Sequence, residues 1–248
     1  MREFRDDAVV LRTYKSGEAD RIAVLWTKEH GKVRVLAKGI RKTTSKLGGT
    51  LEPLAYVHVD LVKSRGELYI ARQVQHRERL KVLRSSYARI NAGYAVVEVV
   101  DAIPSDDVAD EGIFELVTRV LLTLDDESFD PSLVPASFYL RLLTHDGSEP
   151  VVDSCVNCER EGPLVFFDAA VGGTLCAQCR SGTAISSDAL ALVRRILGGD
   201  LAAVLKEVSP PGAGEVVTLA HEAIEQHFGR RLRVLRSTAP LAPDVSDR

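Results

Sequence analysis

Alternating hydrophobic and polar positions dominate the first eighty residues of the chain. Such period-two stretches are typical of half-buried strands, and here turn residues separate them. Five short strands in about eighty residues, with almost no helical pattern, favour a small barrel of the OB or SH3-like type, and the strand number favours the OB-fold. The predicted strands are DAVVLRTY (7–14), RIAVLWTK (21–28), KVRVLAK (32–38), LAYVHVDLVK (54–63) and ELYIARQV (67–74).

The third predicted strand separates its side chains by face. Val33, Val35 and Ala37 share one face, whereas Arg34, Leu36 and Lys38 lie on the other. Since alternate residues of a strand point to opposite sides of a sheet, we expect the apolar face to line the barrel and the basic face to meet solvent.

From about Ser85 the hydrophobic period changes to that of a helix. A serine at 85 or 86 is a plausible N-cap for the first helix. The architecture expected is therefore α+β and multidomain, with helices following the barrel. The predicted helical segments are SSYARINAGYAVVEVVDAI (85–103), DEGIFELVTRVLLTL (110–124), VPASFYLRLLTHDG (134–147), SSDALALVRRIL (186–197), DLAAVLKEV (200–208) and EVVTLAHEAIEQHF (215–228).

Four cysteines lie between the two groups of helices: Cys155, Cys158, Cys176 and Cys179. Each C-x2-C pair forms a tight turn that can aim both thiolates at one ion. The intervening LVFF…GGTL predicts a hairpin that returns the chain to deliver the second pair. Four thiolates complete the tetrahedral coordination of Zn²⁺ and leave no open position, so we predict one structural zinc ion in a zinc finger.

Two other interpretations of the cysteines exist. Two disulfides fit the count, but no apolar export segment follows Met1, so we expect a cytoplasmic protein in a reducing compartment. A redox C-x2-C pair requires a thioredoxin-like strand and helix, and no such pattern precedes Cys155. Structural zinc is the preferred interpretation.

The 248-residue chain has a formal charge of −3, but that charge is unevenly distributed. Residues 1–80 contain 17 basic and 10 acidic side chains, a net of +7, whereas residues 81–150 contain 5 and 13, a net of −8. An asymmetry of this size indicates that the two parts meet different partners, and that the basic part faces a polyanion.

The positive charge is concentrated in GKVRVLAKGIRKTTSK (31–46), which has six Lys or Arg and no acidic residue. On the barrel interpretation this stretch is an edge strand and the long loop after it, where basic groups can contact phosphates. A solvated basic turn is the alternative. The candidate DNA-binding residues are Lys32, Arg34, Lys38, Arg41, Lys42 and Lys46.

Aromatic side chains near this stretch could serve as stacking platforms for unpaired bases. Tyr14, Trp26, Tyr56 and Tyr69 are the nearby candidates. Trp26 follows the apolar face of its strand, so we interpret it as a core residue.

Motifs of the common catalytic classes were sought without success. The chain has neither a P-loop nor a complete dinucleotide fingerprint. In HEAIEQH, His221 and His227 are six residues apart, about 240° around a helix, so they cannot share one metal face. No catalytic residue is predicted.

Taken together, these residues resemble the RecO family of bacterial DNA repair and recombination mediators. The resemblance includes the middle helices and the four-cysteine insertion. It rests most specifically on VVLRTYKSGEADRIAVLWTKEHGKVRVLAKGIRK (9–42), SKLGGTLEPL (45–54) and RRLRVLRS (230–237).

The resemblance implies an N-terminal OB-fold, a helical domain, a zinc finger that only some members contain, and no catalytic turnover. It implies binding to single- and double-stranded DNA, annealing of complementary strands and cooperation with RecR. It also implies engagement of the acidic C-terminal tail of single-strand-binding protein, so that RecA can replace that protein on the strand. By similarity, the DNA contacts are Arg34, Lys38, Arg41, Lys42 and Lys46.

The domain boundaries expected are 1–80 for the barrel, 81–150 and 184–238 for the helical domain, 151–183 for the zinc finger and 239–248 for a flexible tail. Such a protein would be cytoplasmic and associated with the nucleoid. Two other functions remain open: a zinc-containing hydrolase that modifies nucleic acid, and an OB-fold adaptor that binds only protein.

Overall fold

Five strands near the N-terminus close into a barrel in the computed structural model, which describes residues 3–40, 47–64, 66–104 and 108–232. The strand order is β1-β2-β3-β5-β4, and β4 pairs with β1 to complete the closure. The β3–β5 pair is parallel and the other pairs are antiparallel. This is the barrel of the predicted OB-fold. The strands are β1 (Glu3–Ser16), β2 (Asp20–Thr27), β3 (Gly31–Ala37), β4 (Tyr56–Lys63) and β5 (Tyr69–Glu78).

The first two strands are buried on both faces. Val10 and Leu25 point into the barrel, where they join its interior core. Val9 and Trp26 point outward and join a second core made with the helices. This double burial explains why hydrophobic residues run without interruption in AVVL and AVLW, while β3, buried on one face, keeps the strict alternation.

The helical part follows the predicted pattern with two differences. A short helix, α1, precedes the predicted first helix and begins after Leu80, which has a left-handed φ of 44°. The segment predicted at 200–208 contains only one helical turn, α6. The helices are α1 (Lys81–Ser85), α2 (Tyr87–Ala102), α3 (Glu111–Leu124), α4 (Val134–His145), α5 (Ser187–Leu197), α6 (Leu201–Val204) and α7 (Ala213–Phe228).

The cysteine-rich segment lies between α4 and α5. The predicted hairpin is present as β6 (Leu164–Asp168) and β7 (Gly173–Cys176), and a short third strand, β8 (Thr183–Ala184), pairs with β6. Leu175 and Val193 belong to one hydrophobic core that extends from the outer face of the barrel through the helices. Because this core crosses the predicted domain boundaries, those boundaries stay predictions. In the described part of the chain, no helix combines the length and the apolar character needed to cross a membrane.

Polar contacts fasten the barrel to the helical part. Arg12 Nε lies 2.6 Å from the Asp101 carboxylate near the end of α2. Lys28 Nζ lies 2.9 Å from the Glu111 carboxylate at the start of α3. The turn between β2 and β3 also approaches the helical part so closely that a Cβ on Gly31 would lie 2.5 Å from the Val108 carbonyl oxygen.

Substitution at Gly31 therefore tests the approach of the barrel to the helices. Gly31→Ala and Gly17→Ala share a left-handed φ, 64° and 66°, so both should lose about 1–2 kcal/mol of stability. Only Gly31→Ala adds a clash, since nothing lies within 4 Å of a Cβ on Gly17. We expect Gly31→Ala to lose about 1–3 kcal/mol more in urea denaturation. Equal losses in the two variants would contradict the close approach.

Candidate nucleic-acid interface and metal centre

Two of the predicted DNA-binding residues, Arg34 and Lys38, are exposed on the outer face of β3 and its end. The guanidinium of Arg34 donates to the Tyr14 hydroxyl at 2.7 Å, and this hydrogen bond raises the pKa of Arg34. The guanidinium of Arg12 lies 5.6 Å from the Tyr14 ring centroid. These four residues, Arg12, Tyr14, Arg34 and Lys38, form a cationic face with one aromatic ring.

Lys32 occupies a different environment from Arg34 and Lys38. Its ammonium donates to the Asp101 carbonyl at 2.9 Å and to the Ile103 carbonyl, both at the end of α2. Burial lowers the pKa of Lys32, against the opposing attraction of the Asp101 carboxylate. Lys32 thus lies at the contact between the barrel and the helices, and its hydrogen bonds hold the two together.

The remaining predicted contacts, Arg41, Lys42 and Lys46, lie outside the described residues. The loop that carries them is anchored where it leaves and re-enters the described barrel. Ile40 is buried in the barrel core before it, and Leu47 packs against the same core after it. The described residues on either side of this loop therefore both pack on the barrel core.

The candidate stacking aromatics do not lie together. Trp26 is 2% exposed, which confirms its interpretation as a core residue. The Tyr56 ring meets Phe114 edge-on at 6.2 Å, and the Tyr69 ring meets Phe4 at 5.1 Å. Among the four candidates, only Tyr14 is a member of the cationic face.

A second basic segment was missed at the sequence level. Residues 72–89, which we call the junction run, contain six Lys or Arg and one acidic residue. The six basic residues can be seen in the sequence, but a charge count that divides the chain at residue 80 places three of them on each side. It passes from the end of β5 through α1 to the start of α2.

The four cysteine sulfur atoms converge at one point, as their spacing predicts. All four Sγ atoms lie within 4.8 Å of one another. In each C-x2-C turn a backbone bond folds the chain back, from the Glu159 amide to the Cys155 carbonyl at 2.8 Å and from the Cys179 amide to the Cys176 carbonyl at 3.1 Å. All four cysteines are free thiols. The cluster can hold a metal ion.

Backbone N–H groups of these turns favour the thiolate form of two cysteines. Hydrogen bonds from backbone amides, foremost that of Cys176, lower the pKa of the Cys155 thiol to about 6. The Cys179 amide similarly lowers the pKa of Cys176. The fourth thiol behaves oppositely, because its bond with the Cys158 side chain and burial raise the pKa of Cys179 to about 12. Four adjacent thiolates repel, so their full ionisation requires a cation.

The two histidines of HEAIEQH bind different partners, in agreement with their spacing. His227 Nε2 lies 3.0 Å from the Asp146 carboxylate beyond the end of α4. His221 Nε2 lies 3.2 Å from Glu225, one turn along the same helix. Within the described ranges, the group of side chains arranged to ligate a metal is the four-cysteine cluster.

An OB barrel with a cationic face, followed by helices and a four-cysteine cluster, defines an OB-fold protein with a helical part and a group of cysteines that can hold a metal ion. A family model described as Recombination protein O N terminal matches residues 1–78. A second, described as Recombination protein O C terminal, matches residues 84–236. The chain belongs to the recombination protein O family, a family of DNA repair proteins.

Curated relatives support this assignment over nearly the whole chain. Proteins named DNA repair protein RecO from Streptomyces avermitilis and Streptomyces griseus are 36% identical to it over 244 and 247 residues. The protein of that name from Streptomyces coelicolor is 35% identical over 244 residues. Each alignment covers 94% of this chain and 97% of the relative.

The cluster geometry predicts that metal and stability are lost together. Cys155→Ala and Cys176→Ala each remove a buried ligand, and we expect each to release the metal and lower stability by more than about 2 kcal/mol. Elemental analysis and urea denaturation measure the two effects. Asn157→Ala is the matched control, because Asn157 is an exposed residue between two ligands. A parent protein that contains two disulfides and no metal would refute the cluster's role.

Proposed function

We propose that this protein is a non-enzymatic recombination mediator. In this role it binds single- and double-stranded DNA, anneals complementary strands, and acts with RecR to load RecA onto strands coated with single-strand-binding protein. The observation that carries the proposal is the cationic face on an OB barrel within a DNA repair family. A cationic surface can screen the repulsion between two phosphate backbones, so that complementary bases meet.

The DNA-contacting groups proposed are Arg34 and Lys38 on the barrel and Arg41, Lys42 and Lys46 in the loop that follows. Arg34 and Lys38 are supported by their exposure. The loop residues are supported by the sequence alone. Lys32 is assigned to the contact between barrel and helices because α2 carbonyls occupy its ammonium.

The proposed metal is zinc, in a structural role. Four sulfur atoms about 2.3 Å from a tetrahedral zinc ion lie about 3.8 Å from one another. The Sγ atoms of Cys158 and Cys176 are 3.7 Å apart. Four protein ligands leave no position for water or substrate, which supports scaffolding rather than turnover.

Partner binding is assigned to the helical part. We place there the pocket for the acidic tail of single-strand-binding protein, in accordance with the family resemblance. The net charge of −8 over residues 81–150 argues that such a pocket depends on apolar contact as well as on cations. The proposed location of the protein is the cytoplasm, at the nucleoid.

The zinc assignment predicts a distinctive X-ray absorption spectrum. Purified protein should contain one zinc ion per chain with four sulfur neighbours at about 2.3 Å. Nitrogen or oxygen in the first coordination sphere would contradict a four-thiolate site. An open coordination position would instead support a zinc-containing hydrolase.

Charge reversal on β3 tests the DNA interface. Arg34→Glu/Lys38→Glu should weaken binding to a single-stranded oligonucleotide by about tenfold or more, about 1.4 kcal/mol. It should also reduce the steepness of log affinity against log salt by about 1.4, the value for two phosphate contacts. Fluorescence anisotropy across a salt series measures both quantities. The matched control is Arg119→Glu/Lys206→Glu, which makes the same charge change at two exposed positions of the helical part, one on α3 and one just after α6.

Strand annealing, with and without single-strand-binding protein, tests the mediator activity itself. Arg41→Glu/Lys42→Glu should anneal more slowly than the parent, and an unchanged rate would refute the loop assignment. Absence of oligonucleotide binding at physiological salt would favour the protein-only adaptor. Metal-dependent turnover of DNA or RNA would favour the hydrolase.

A further inference from the structure

Half of the cations in the junction run are bound to partners. Arg72 lies 2.9 Å from the Glu3 carboxylate, and Arg77 lies 2.6 Å from that of Asp7. Arg89, near the start of α2, donates to three backbone carbonyls at and after the end of α3, those of Leu124, Asp126 and Phe129. These three cations have structural roles.

The other three, Arg79, Lys81 and Arg84, are exposed. Arg84 makes a 3.3 Å hydrogen bond to the Pro53 carbonyl, and within the described ranges no carboxylate pairs with any of the three. Burial, together with the positive charges of Arg84 and Arg79, lowers the pKa of His76. The barrel–helix junction therefore carries a second concentration of positive charge.

This junction adjoins the end of the basic loop between β3 and β4. Arg84 of the junction run donates to the carbonyl of Pro53, which lies seven positions after Lys46. The next residue, Leu54, packs on α2, where a Cβ on Gly93 would lie 2.9 Å from its Cδ1 atom. The described segment that follows the loop thus contacts the junction run at Pro53 and α2 at Leu54.

Two tyrosines project from α2 beside this crossing. Tyr87 is 78% exposed and Tyr94 is 37% exposed. Seven residues separate them, which is nearly two helical turns, so they share one face at a spacing of about 10.5 Å. Exposed aromatic rings next to cations are the elements with which proteins bind unpaired bases. Glu98 lies one helical turn beyond Tyr94 and carries a negative charge.

We propose that single-stranded nucleic acid binds across the junction and onto α2. Arg79, Lys81 and Arg84 contact its phosphates, and Tyr87 and Tyr94 stack against its bases. The inference rests on the proposed DNA-binding function and adds a second surface to it. A duplex does not satisfy this surface, because its bases are already stacked on one another.

Tryptophan fluorescence provides a local test. The chain contains one tryptophan, Trp26, which is buried. A reporter introduced by Tyr87→Trp or Tyr94→Trp should be quenched by a saturating oligo-dT strand, and not by a duplex of equal length. Leu122→Trp, at an exposed position on α3, is the matched control and should not respond. Unquenched reporters in protein saturated with the strand would overturn the proposal.

Affinity measurements separate stacking from charge. Tyr87→Ala/Tyr94→Ala should lower single-strand affinity about fivefold or more for each ring lost, with no change in the salt dependence. Tyr87→Phe/Tyr94→Phe should retain the parent affinity because the rings remain. Arg79→Ala/Arg84→Ala should instead reduce the salt slope by about 1.4. Since all four side chains are exposed, the unfolding midpoints should match the parent.

The outcomes also separate this inference from the proposed function. A parent protein that does not bind the oligonucleotide contradicts the proposed function itself. A parent that binds, with tyrosine variants of equal affinity, refutes the junction surface and leaves the barrel interface intact. Loss of affinity in the phenylalanine variant would show that the hydroxyl groups, and not the rings, make the contact.

Discussion

The burial of β1 and β2 on both faces is the constraint on which the rest of the structure depends. Val10 and Leu25 fill the barrel, while Val9 and Trp26 lie in the core shared with the helices. Apolar surface of this kind is stabilised only when it leaves water, so the middle of neither strand can lie at a free surface. The helices must cover one side of the barrel, and nucleic acid must approach another. The outer face of β3, where Arg34 and Lys38 are exposed, is one of the surfaces that remain available.

The same constraint sorts the basic residues by role. Arg12 and Lys28, at the margin of the covered side, meet carboxylates of the helical part. Lys32 meets carbonyls at the end of α2, where the helix dipole favours a cation. These contacts use charge from both sides of the molecule to hold the barrel in place. Two acidic residues of the helical part, Asp101 and Glu111, therefore help to hold the barrel against the helices.

The cysteine cluster is continuous with the helical core rather than a separate module. Its hairpin shares a hydrophobic cluster with α5, and Arg194 of α5 donates to the Val152 carbonyl at 2.7 Å. A metal ion that neutralises the four thiolates stabilises this shared core, since the ligands are then fixed at both of their turns. A metal ion at the cluster would consequently support the same part of the molecule as the helices do.

Elements that obey a local period could be predicted from the amino-acid pattern. Alternation identified the five strands, the helical period identified the long helices, and the C-x2-C spacing identified the metal cluster, because each signal lies within a short segment. The faces of β3 were also readable from Val33, Val35 and Ala37. The family was recognisable for the same reason, since its motifs are contiguous.

The roles of individual side chains depend on contacts between distant parts of the chain. Lys32 and Arg34 are two residues apart in one basic stretch, yet one meets carbonyls of α2 and the other meets solvent. Arg12 joined the cationic face although it stands alone among apolar neighbours in the sequence. Leu54 packs on α2 at Gly93, although 39 positions separate the two residues in the sequence. Such contacts join residues tens of positions apart, and no local pattern records which distant surface a side chain meets.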